Sequence, residues 1–465
     1  MTIHDYLISL QGKRVAVIGI GVSNTPLIRL LLNSNIKVTG CDVNPREKFN
    51  GLIEELESLG MQSKLGSDYM EGLDHDVIFR SPGIRPDVPA LNACRARGGI
   101  VTSEMEVFFD ICPCKIIGIT GSDGKTTTTT IISELLKKAG YKVWVGGNIG
   151  MPLLAEADKM SSEDIVVLEL SSFQLMTMQK SPNIAVITNL SPNHLNWHLN
   201  MDEYVSAKKQ IFLHQTSRDR LVVNYDNELT RKACLDSRGT KIYFSRKNSI
   251  QNGVVLEDGA ISAKFSDVSR RVLPVEDIKI PGVHNIENFQ AAIAAVGDLV
   301  ADDMIQEFAR EFSGVEHRIE FVRELNGISY YNDSIASSPT RTLAGLRSFN
   351  QKVILIAGGH DKGISYEHMG PELIERCKYM ILTGGDKLGS TVPKLCAAVV
   401  SQPGYKEADL PILFIDDFRN AVLTAREIAQ PGDIILMSPA STSFDKFKNF
   451  MERGNYFKAI VNDLQ

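Results

Sequence analysis

The sequence contains no run of the roughly 18 consecutive apolar residues that a membrane-spanning helix needs. Its N-terminus, MTIHDYLISLQGKR, lacks the charged-then-apolar layout of an export signal. A cytoplasmic protein without a membrane partner is expected. There is no long basic block either, and a net charge of -6 argues against nucleic acid as the main partner. The seven cysteines are scattered, with only Cys112 and Cys114 close together and no paired C-x-x-C, which suits reduced thiols better than disulfides or zinc. Repeats and low-complexity tracts are absent. What remains is an ordinary globular composition in 465 residues, more than one core usually supports, so two or three domains are expected.

The chain is organised around Lys115 to Thr130, KIIGITGSDGKTTTTT. Lys115 to Ile119 reads as a short buried strand, Thr120 to Gly124 as a glycine-bounded turn, and Lys125 onward as a helix running to Gly140. Those residue types suit a phosphate. Gly121 and Gly124 let backbone N–H groups converge on an anion, and the helix N-terminus adds partial positive charge. Lys125 supplies a mobile cation and Thr126 a hydroxyl for magnesium. The strict G-x-x-x-x-G-K-[ST] spacing is not met, because Ile119 stands where its first glycine would fall. The pattern T-G-S-D-G-K-T-T between strand and helix still predicts ATP as the ligand.

Residues 13 to 44 read as strand, Gly-x-Gly turn, helix and strand, with Asp42 at a strand end, a Rossmann-type opening. A nicotinamide reading meets Asn24 where the third glycine of G-x-G-x-x-G belongs. The same geometry binds any nucleotide diphosphate, with Asp42 placed to accept from a ribose or base, and packing without a ligand also accounts for these residues. A further strand ends at Ser81-Pro82-Gly83, and a linker is expected near Gly98 to Ser103. Glu169 ends an otherwise apolar strand, where a buried carboxylate needs a cation. The next strand opens into a loop carrying His194 and His198, of which His194 follows the strand end more closely. In the helix MDEYVSAKKQIFLHQ, with Asp202 as expected N-cap, Lys208 shares an apolar stripe with Tyr204, Ile211 and Phe212 while Lys209 turns away. Such a lysine either snorkels outward or is partly desolvated with a lowered pKa. Strands with a hairpin at Asp258-Gly259 follow, then a helix presenting Asn285 and Asn288, which also serve as caps in such positions. From His317 a second doubly wound sheet is expected, its strand ends carrying Asp333, Ser337, His360, Asp361, Lys362 and Ser438 to Ser443.

The stretches TGSDGKTT, GGNIGMP, LELSSFQL, TNLSPNHL with AKKQIF, GVHNIENFQAA, EHRIE, YYNDSIAS, GGHDKG and SPASTSFDKFKNFMERG together resemble the Mur ligase family of peptidoglycan precursor enzymes, over essentially the whole chain. The last is similar to the signature of the family's glutamate-adding branch. The resemblance implies an α/β fold in three domains. These are an N-terminal Rossmann-like, UDP-sugar-binding domain over 1–103, a central P-loop-type ATP-binding α/β domain with added β-strands over 104–314, and a C-terminal Rossmann-like, amino-acid-binding domain over 315–465. It also implies an ADP-forming ligase, expected as a monomer. Such an enzyme phosphorylates the carboxylate of UDP-N-acetylmuramoyl-L-alanine with ATP, then lets the amine of D-glutamate attack the acyl phosphate.

Carried onto this sequence, the family's ATP contacts fall on Gly121, Ser122, Asp123, Gly124, Lys125, Thr126, Thr127, Thr128, Asn285, Asn288, Arg318 and Asp333. Two magnesium sites are implied, one at Thr126 and Glu169 and one near His194 and Lys208, and the catalytic set is Lys125, Glu169, His194 and Lys208. The uracil end falls on Val22, Ser23, Asp42, Ser81, Pro82 and Gly83, and the muramoyl-alanine portion on Asn148 and His194. The D-glutamate pocket falls on Ser337, Lys362, Ser443, Phe444 and Phe450, with Lys362 pairing a carboxylate. The lysine of the family's A-K-x-x-I stretch is carboxylated on its side-chain nitrogen, which implies the same for Lys208.

Two positions depart from the family pattern. Where it reads N-D-S-K-A-T, Ile335 replaces the lysine and Ser337 the threonine, removing a cation beside the nucleotide, with Arg341 placed in sequence to compensate. Asp123 stands where asparagine is usual, and a carboxylate among phosphates is repelled unless it caps the turn. Open alternatives are a nicotinamide-dependent oxidoreductase, which leaves the phosphate loop unexplained, a non-catalytic ATP-gated sensor of UDP-sugars, and the alanine-adding, diamino-acid-adding and folate polyglutamate ligases of the same family.

Overall fold

The apolar runs VAVI (15–18), IVVLE (165–169), IAVI (184–187) and VILIA (353–357) are fully buried and too short for helices, as befits parallel strands covered on both faces. The computed structural model describes residues 1–195, 197–265, 268–361, 363–384, 389–443 and 446–465, and builds those runs into three sheets. Two compact units result, Met1–Val275 with Ile286–Gln306, and Glu276–Asn285 with Glu307–Gln465.

The first unit holds two sheets. Five parallel strands lie in the order Gln62–Leu65, Val38–Asp42, Val15–Ile18, Val77–Arg80, Ile100–Thr102. The order reverses between Val15–Ile18 and Val77–Arg80, so the turns after Ile18 and Arg80 flank the crevice where such sheets bind ligands. Residues 98 to 103, expected as a linker, instead supply the edge strand Ile100–Thr102. Three residues show no periodicity, and pairing with Val77–Phe79 creates the strand.

The second sheet has nine strands in the order Val268–Pro274, Ala260–Phe265, Gly253–Glu257, Thr240–Ser245, Arg220–Asn224, Ile184–Ile187, Lys115–Thr120, Ile165–Glu169, Val143–Gly147. All neighbours are parallel except the outer meander, whose Asp258-Gly259 hairpin has φ of 46° and 69°, as a type I′ turn demands. Lys115–Thr120 lies between Ile165–Glu169 and Ile184–Ile187, so the Gly121–Gly124 turn leaves the interior of the sheet with Glu169 and Thr188 at its neighbours' ends. One apolar cluster joins residues of both sheets with Met105, Phe108 and Ile111 of the helix Glu104–Ile111.

In the second unit six strands follow the order Glu320–Leu325, Ile328–Asn332, Ile434–Met437, Val353–Ala357, Cys377–Leu382, Ile412–Phe414. The first pair is antiparallel and the rest parallel. Its hairpin turns at Asn326-Gly327, φ 54° and 75°, and so adds the strand Glu320–Leu325 ahead of the five mutually parallel ones. Separate apolar clusters cover the two faces. All seven cysteines are free thiols. Among the described residues no helix is long and apolar enough to cross a membrane.

Candidate active site

The strand Lys115–Thr120 ends in a buried hydroxyl, Thr120 Oγ1, which donates to Leu170 O at 2.7 Å. The chain then turns through Gly121 to Gly124. A Cβ on Gly121 would overlap Thr188 Oγ1, and one on Gly124 would stand 2.5 Å from Asn288 Oδ1, so the framework itself closes both positions to side chains. Gly124, at φ 78°, is the N-cap of the helix Lys125–Lys138, and no side chain caps that end. Backbone alone therefore presents the helix's positive pole.

Five side chains converge there. Lys125 Nζ donates to Gly121 O at 3.0 Å and to Ser122 O at 2.8 Å. Lys208 Nζ donates to the same Gly121 O at 2.8 Å and to Thr120 Oγ1 at 3.1 Å. Thr126 Oγ1 donates to Glu169 Oε2, and Asn148 Nδ2 to Glu169 Oε1, both at 2.7 Å. Glu169 and Lys208 are only 1% and 2% exposed. Burial holds the Lys208 amine well below the ordinary lysine range, the Lys125 charge acts in the same direction, and Glu169 and Asp123 pull back. Lys209 instead ion-pairs with Asp236. The helix Met201–Leu213 that carries both lysines is capped by Asn200, whose side chain accepts from Glu203 N–H. Asp202, the expected cap, lies in the first turn, because the extended residue is Asn200.

Other loop residues serve the framework. Ser122 Oγ donates to Ser191 O and lies beside Tyr204 OH, both at 2.9 Å. Asp123 is exposed, its N–H donating to Asn189 Oδ1 at 2.9 Å and its carbonyl accepting from Thr188 Oγ1 at 2.6 Å. Thr127 is buried, and Thr128 Oγ1 donates to Asn288 Oδ1 at 3.3 Å. On the same helix as Asn288, Asn285 Nδ2 donates to Pro281 O at 2.6 Å. His194 is exposed, at φ 55°, with its ring edge-on to Phe173 at 5.0 Å.

On the first sheet, Asp42 accepts from Ile20 N–H at 2.8 Å and from Asn44 N–H and Nδ2 at 2.9 Å, so both its oxygens hold the turn. Asn24 donates Nδ2 to Gly19 O at 2.9 Å, and its amide fastens the loop where the dinucleotide pattern has glycine. Val22 and Ser23 are exposed beside it. Ser81 N–H donates to Ile18 O at 2.9 Å, which sets the Ser81–Gly83 turn against Gly19, whose Cβ would stand 2.7 Å from Ser81 Cβ.

In the second unit Ser438 Oγ donates to Asp333 Oδ2 at 2.7 Å and Ile319 N–H to Oδ1 at 3.2 Å. Burial pushes the Asp333 carboxyl up to about 7, while those bonds and the charges of Arg318 and Arg341 pull back. Arg341 Nη1 donates to Ile335 O at 3.3 Å, bringing a guanidinium to the position whose lysine is missing. Ser337 is half-buried and Ser443 buried. Phe450 O accepts from Ser334 Oγ at 2.7 Å, and its ring meets His317 edge-on at 5.8 Å. Lys362 and Phe444 lie outside the described residues. His198 is 2% exposed and bonded on both ring nitrogens. Both histidines meet Phe173, and the bonds of His198 to Glu203 and Ser172 set it apart.

Among the described residues no group of three or more His, Cys, Asp or Glu gathers to hold a metal ion alone. Thr126 and Glu169 offer hard oxygens beside a positive helix end, and magnesium ordinarily completes such a pair with phosphate oxygens and water, so the residues fit a nucleotide-bound magnesium.

Residues 119–296 match the Mur ligase middle domain, and residues 317–441 the Mur ligase, glutamate ligase domain. The chain belongs to the Mur ligase family. It is similar to a UDP-N-acetylmuramoylalanine–D-glutamate ligase of Acetivibrio thermocellus, 49% identical over 100% of this chain and 99% of that protein. A protein of the same name from Ruminiclostridium cellulolyticum is 49% identical over 98% of each. In fold it resembles UDP-N-acetylmuramate–alanine ligase from Thermotoga maritima, with TM-score 0.55 and 19% identity over 97% of this chain and 99% of that one.

A testable consequence follows from Asp333. The unfolded chain ionises an aspartate near 3.9, whereas the folded chain keeps this one protonated up to about 7. Its stability penalty is therefore absent below about pH 4, grows as pH rises to about 7, and is constant above. Asp333→Asn carries no such penalty, so its melting temperature relative to the parent should rise by about 2 °C or more between pH 5 and pH 8. A pH-independent difference contradicts this.

Proposed function

We propose that this chain is an ADP-forming amide ligase that joins D-glutamate to UDP-N-acetylmuramoyl-L-alanine, in cytoplasmic peptidoglycan precursor synthesis. The full-length 49% identity to relatives named for that reaction carries the proposal, and the cluster on Gly121 supports it. ATP takes residues 121–128, with Asn285, Asn288, Arg318 and Asp333 as further contacts. Lys125 and the helix amides meet the γ-phosphate charge during transfer. The substrate carboxylate attacks the γ-phosphorus and ADP leaves. The D-glutamate amine then attacks the acyl carbon and loses a proton as phosphate departs.

Thr126 and Glu169 would hold one magnesium, and His194 with Lys208 a second, screening phosphate charge. Val22, Ser23 and Ser81–Gly83 take the uracil end on the turn that Asp42 shapes, Asn148 and His194 the muramoyl-alanine portion, and Ser337, Lys362, Ser443, Phe444 and Phe450 the D-glutamate. Residues 1–103, 104–314 and 315–465 divide the work as sugar-nucleotide, ATP and amino-acid domains. The protein acts as a monomer.

Lys208 is carboxylated on Nζ. An amine kept neutral by burial captures carbon dioxide and releases a proton, leaving a carbamate that attracts Lys125 and magnesium where an ammonium would repel both.

Phosphate release with UDP-N-acetylmuramoyl-L-alanine and a panel of amino acids tests the reaction. D-Glutamate should exceed L-glutamate, L-alanine and diaminopimelate by about a hundredfold or more. Equal release with another member, or none with D-glutamate, contradicts the proposal. Lys208→Ala should lose about 10²-fold or more in kcat, with part restored by acetate filling the vacated anionic position. Undiminished activity without acetate would count against the carbamate.

A further inference from the structure

The loop that carries His194 is fastened to the Ser81–Gly83 turn, and the roles proposed above leave the fastening unused. His194 O accepts from the N–H groups of both Trp197 and His198 at 3.0 Å, a closed turn around its backbone at φ 55°. Trp197 Nε1 donates to Gly83 O at 3.0 Å. Arg85, two residues further on, donates Nη1 to Trp197 O at 3.0 Å and lays its guanidinium over the indole at 5.0 Å. The same guanidinium grips Glu203 as a fork, through Nη1 at 3.1 Å and Nη2 at 2.9 Å. Glu203 accepts from Leu199 N–H at 2.9 Å and faces His198 Nδ1 at 3.2 Å, so that nitrogen carries the proton and Nε2 accepts from Ser172 Oγ at 2.9 Å. Phe173 stacks on His198 at 5.6 Å and meets His194 with its edge.

Two features separate this strap from ordinary packing. Its polar members are largely withdrawn from water, His198 with no side-chain exposure, Glu203 with 18% and Arg85 with 20%, where an apolar contact would hold the sheets together as well. A forked, directional pair fixes orientation as an apolar contact does not. Its two ends also fall on different turns, one at the switch point of the first sheet and one bearing His194 in the loop after Ile184–Ile187. One hydrogen bond and one backbone turn separate Gly83 O from His194.

We propose that Arg85, Trp197, His198 and Glu203 are positioning residues, through which occupancy of the Ser81–Gly83 turn by the uracil end of the sugar nucleotide sets the His194 loop for turnover. The inference rests on the ligand assignment made above. None of the four touches a reacting atom. They act on chemistry, with sugar-nucleotide affinity as the quantity held steady.

The test pairs a spectroscopic with a kinetic readout. The chain has two tryptophans, so Trp144→Phe leaves Trp197 as the sole indole. In that protein, without ATP or magnesium, UDP-N-acetylmuramoyl-L-alanine should shift Trp197 emission saturably, at the midpoint found by calorimetry. In the otherwise unaltered protein, Arg85→Lys keeps the charge but loses the fork, and Glu203→Gln keeps the shape but loses the charge. Each should lower kcat about tenfold to a hundredfold while the calorimetric Kd for the sugar nucleotide and the KM for ATP stay within about threefold. The double variant should be no worse than the poorer single one. Undiminished kcat in both variants, equal losses of binding and turnover, or binding without any change in Trp197 emission would each overturn the proposal. If the parent binds the sugar nucleotide and turns over D-glutamate while these outcomes occur, the coupling alone is wrong. If the parent binds no sugar nucleotide, the ligand assignment falls and this inference with it.

Discussion

Two lysine amines rest on one carbonyl oxygen. Lys125 Nζ and Lys208 Nζ both donate to Gly121 O, at 3.0 and 2.8 Å, so the two nitrogens must lie within about 6 Å of each other. At an effective dielectric of about 20, two unit charges at that separation repel by about 3 kcal/mol. The conflict is resolved unequally. Lys125 is only half-buried and sits at a helix N-terminus facing the loop, whereas Lys208 is buried to 2% exposure on an apolar stripe. Burial therefore disfavours the charged form of Lys208.

The surrounding framework keeps that arrangement rigid. Lys115–Thr120 is an interior strand of its sheet, and both neighbouring strands end level with it, so Glu169 and Thr188 reach the loop from opposite sides. Ser122, Asn189 and Tyr204 hold the outer turn with hydrogen bonds that involve no ligand. A loop fixed beforehand places its donors without reorganising during reaction, which is where preorganised electrostatics gain their effect. The Gly83–Trp197 and Arg85–Glu203 contacts extend the same principle to the first sheet.

Much of this was legible in the sequence because local rules and tertiary needs agree. The glycine-bounded turn before Lys125 follows local turn chemistry, the carboxylate at the end of IVVLE and the lysine on the stripe of Tyr204, Ile211 and Phe212 stand out as charges at buried positions, and the structure brings all three elements together. What escaped notice depends on partners distant in sequence. Ile100–Thr102 is a strand only because Val77–Phe79 lies beside it. His198 is bonded to Glu203 and Ser172, and Arg85 pairs with a carboxylate 118 residues away. The Asn326-Gly327 hairpin was available from the sequence, since its dipeptide is a recognised turn signal.

The proposed carbamate on Lys208 requires an amine that burial keeps neutral. Carbon-13 NMR of the protein in labelled bicarbonate measures the carbamate directly, at a pH and concentration that support turnover. The account predicts one carbamate carbon per chain, saturable with bicarbonate, present with Lys125 intact and lost in Lys208→Ala. A fully active protein that shows no carbamate signal, or one whose signal persists without Lys208, would contradict it.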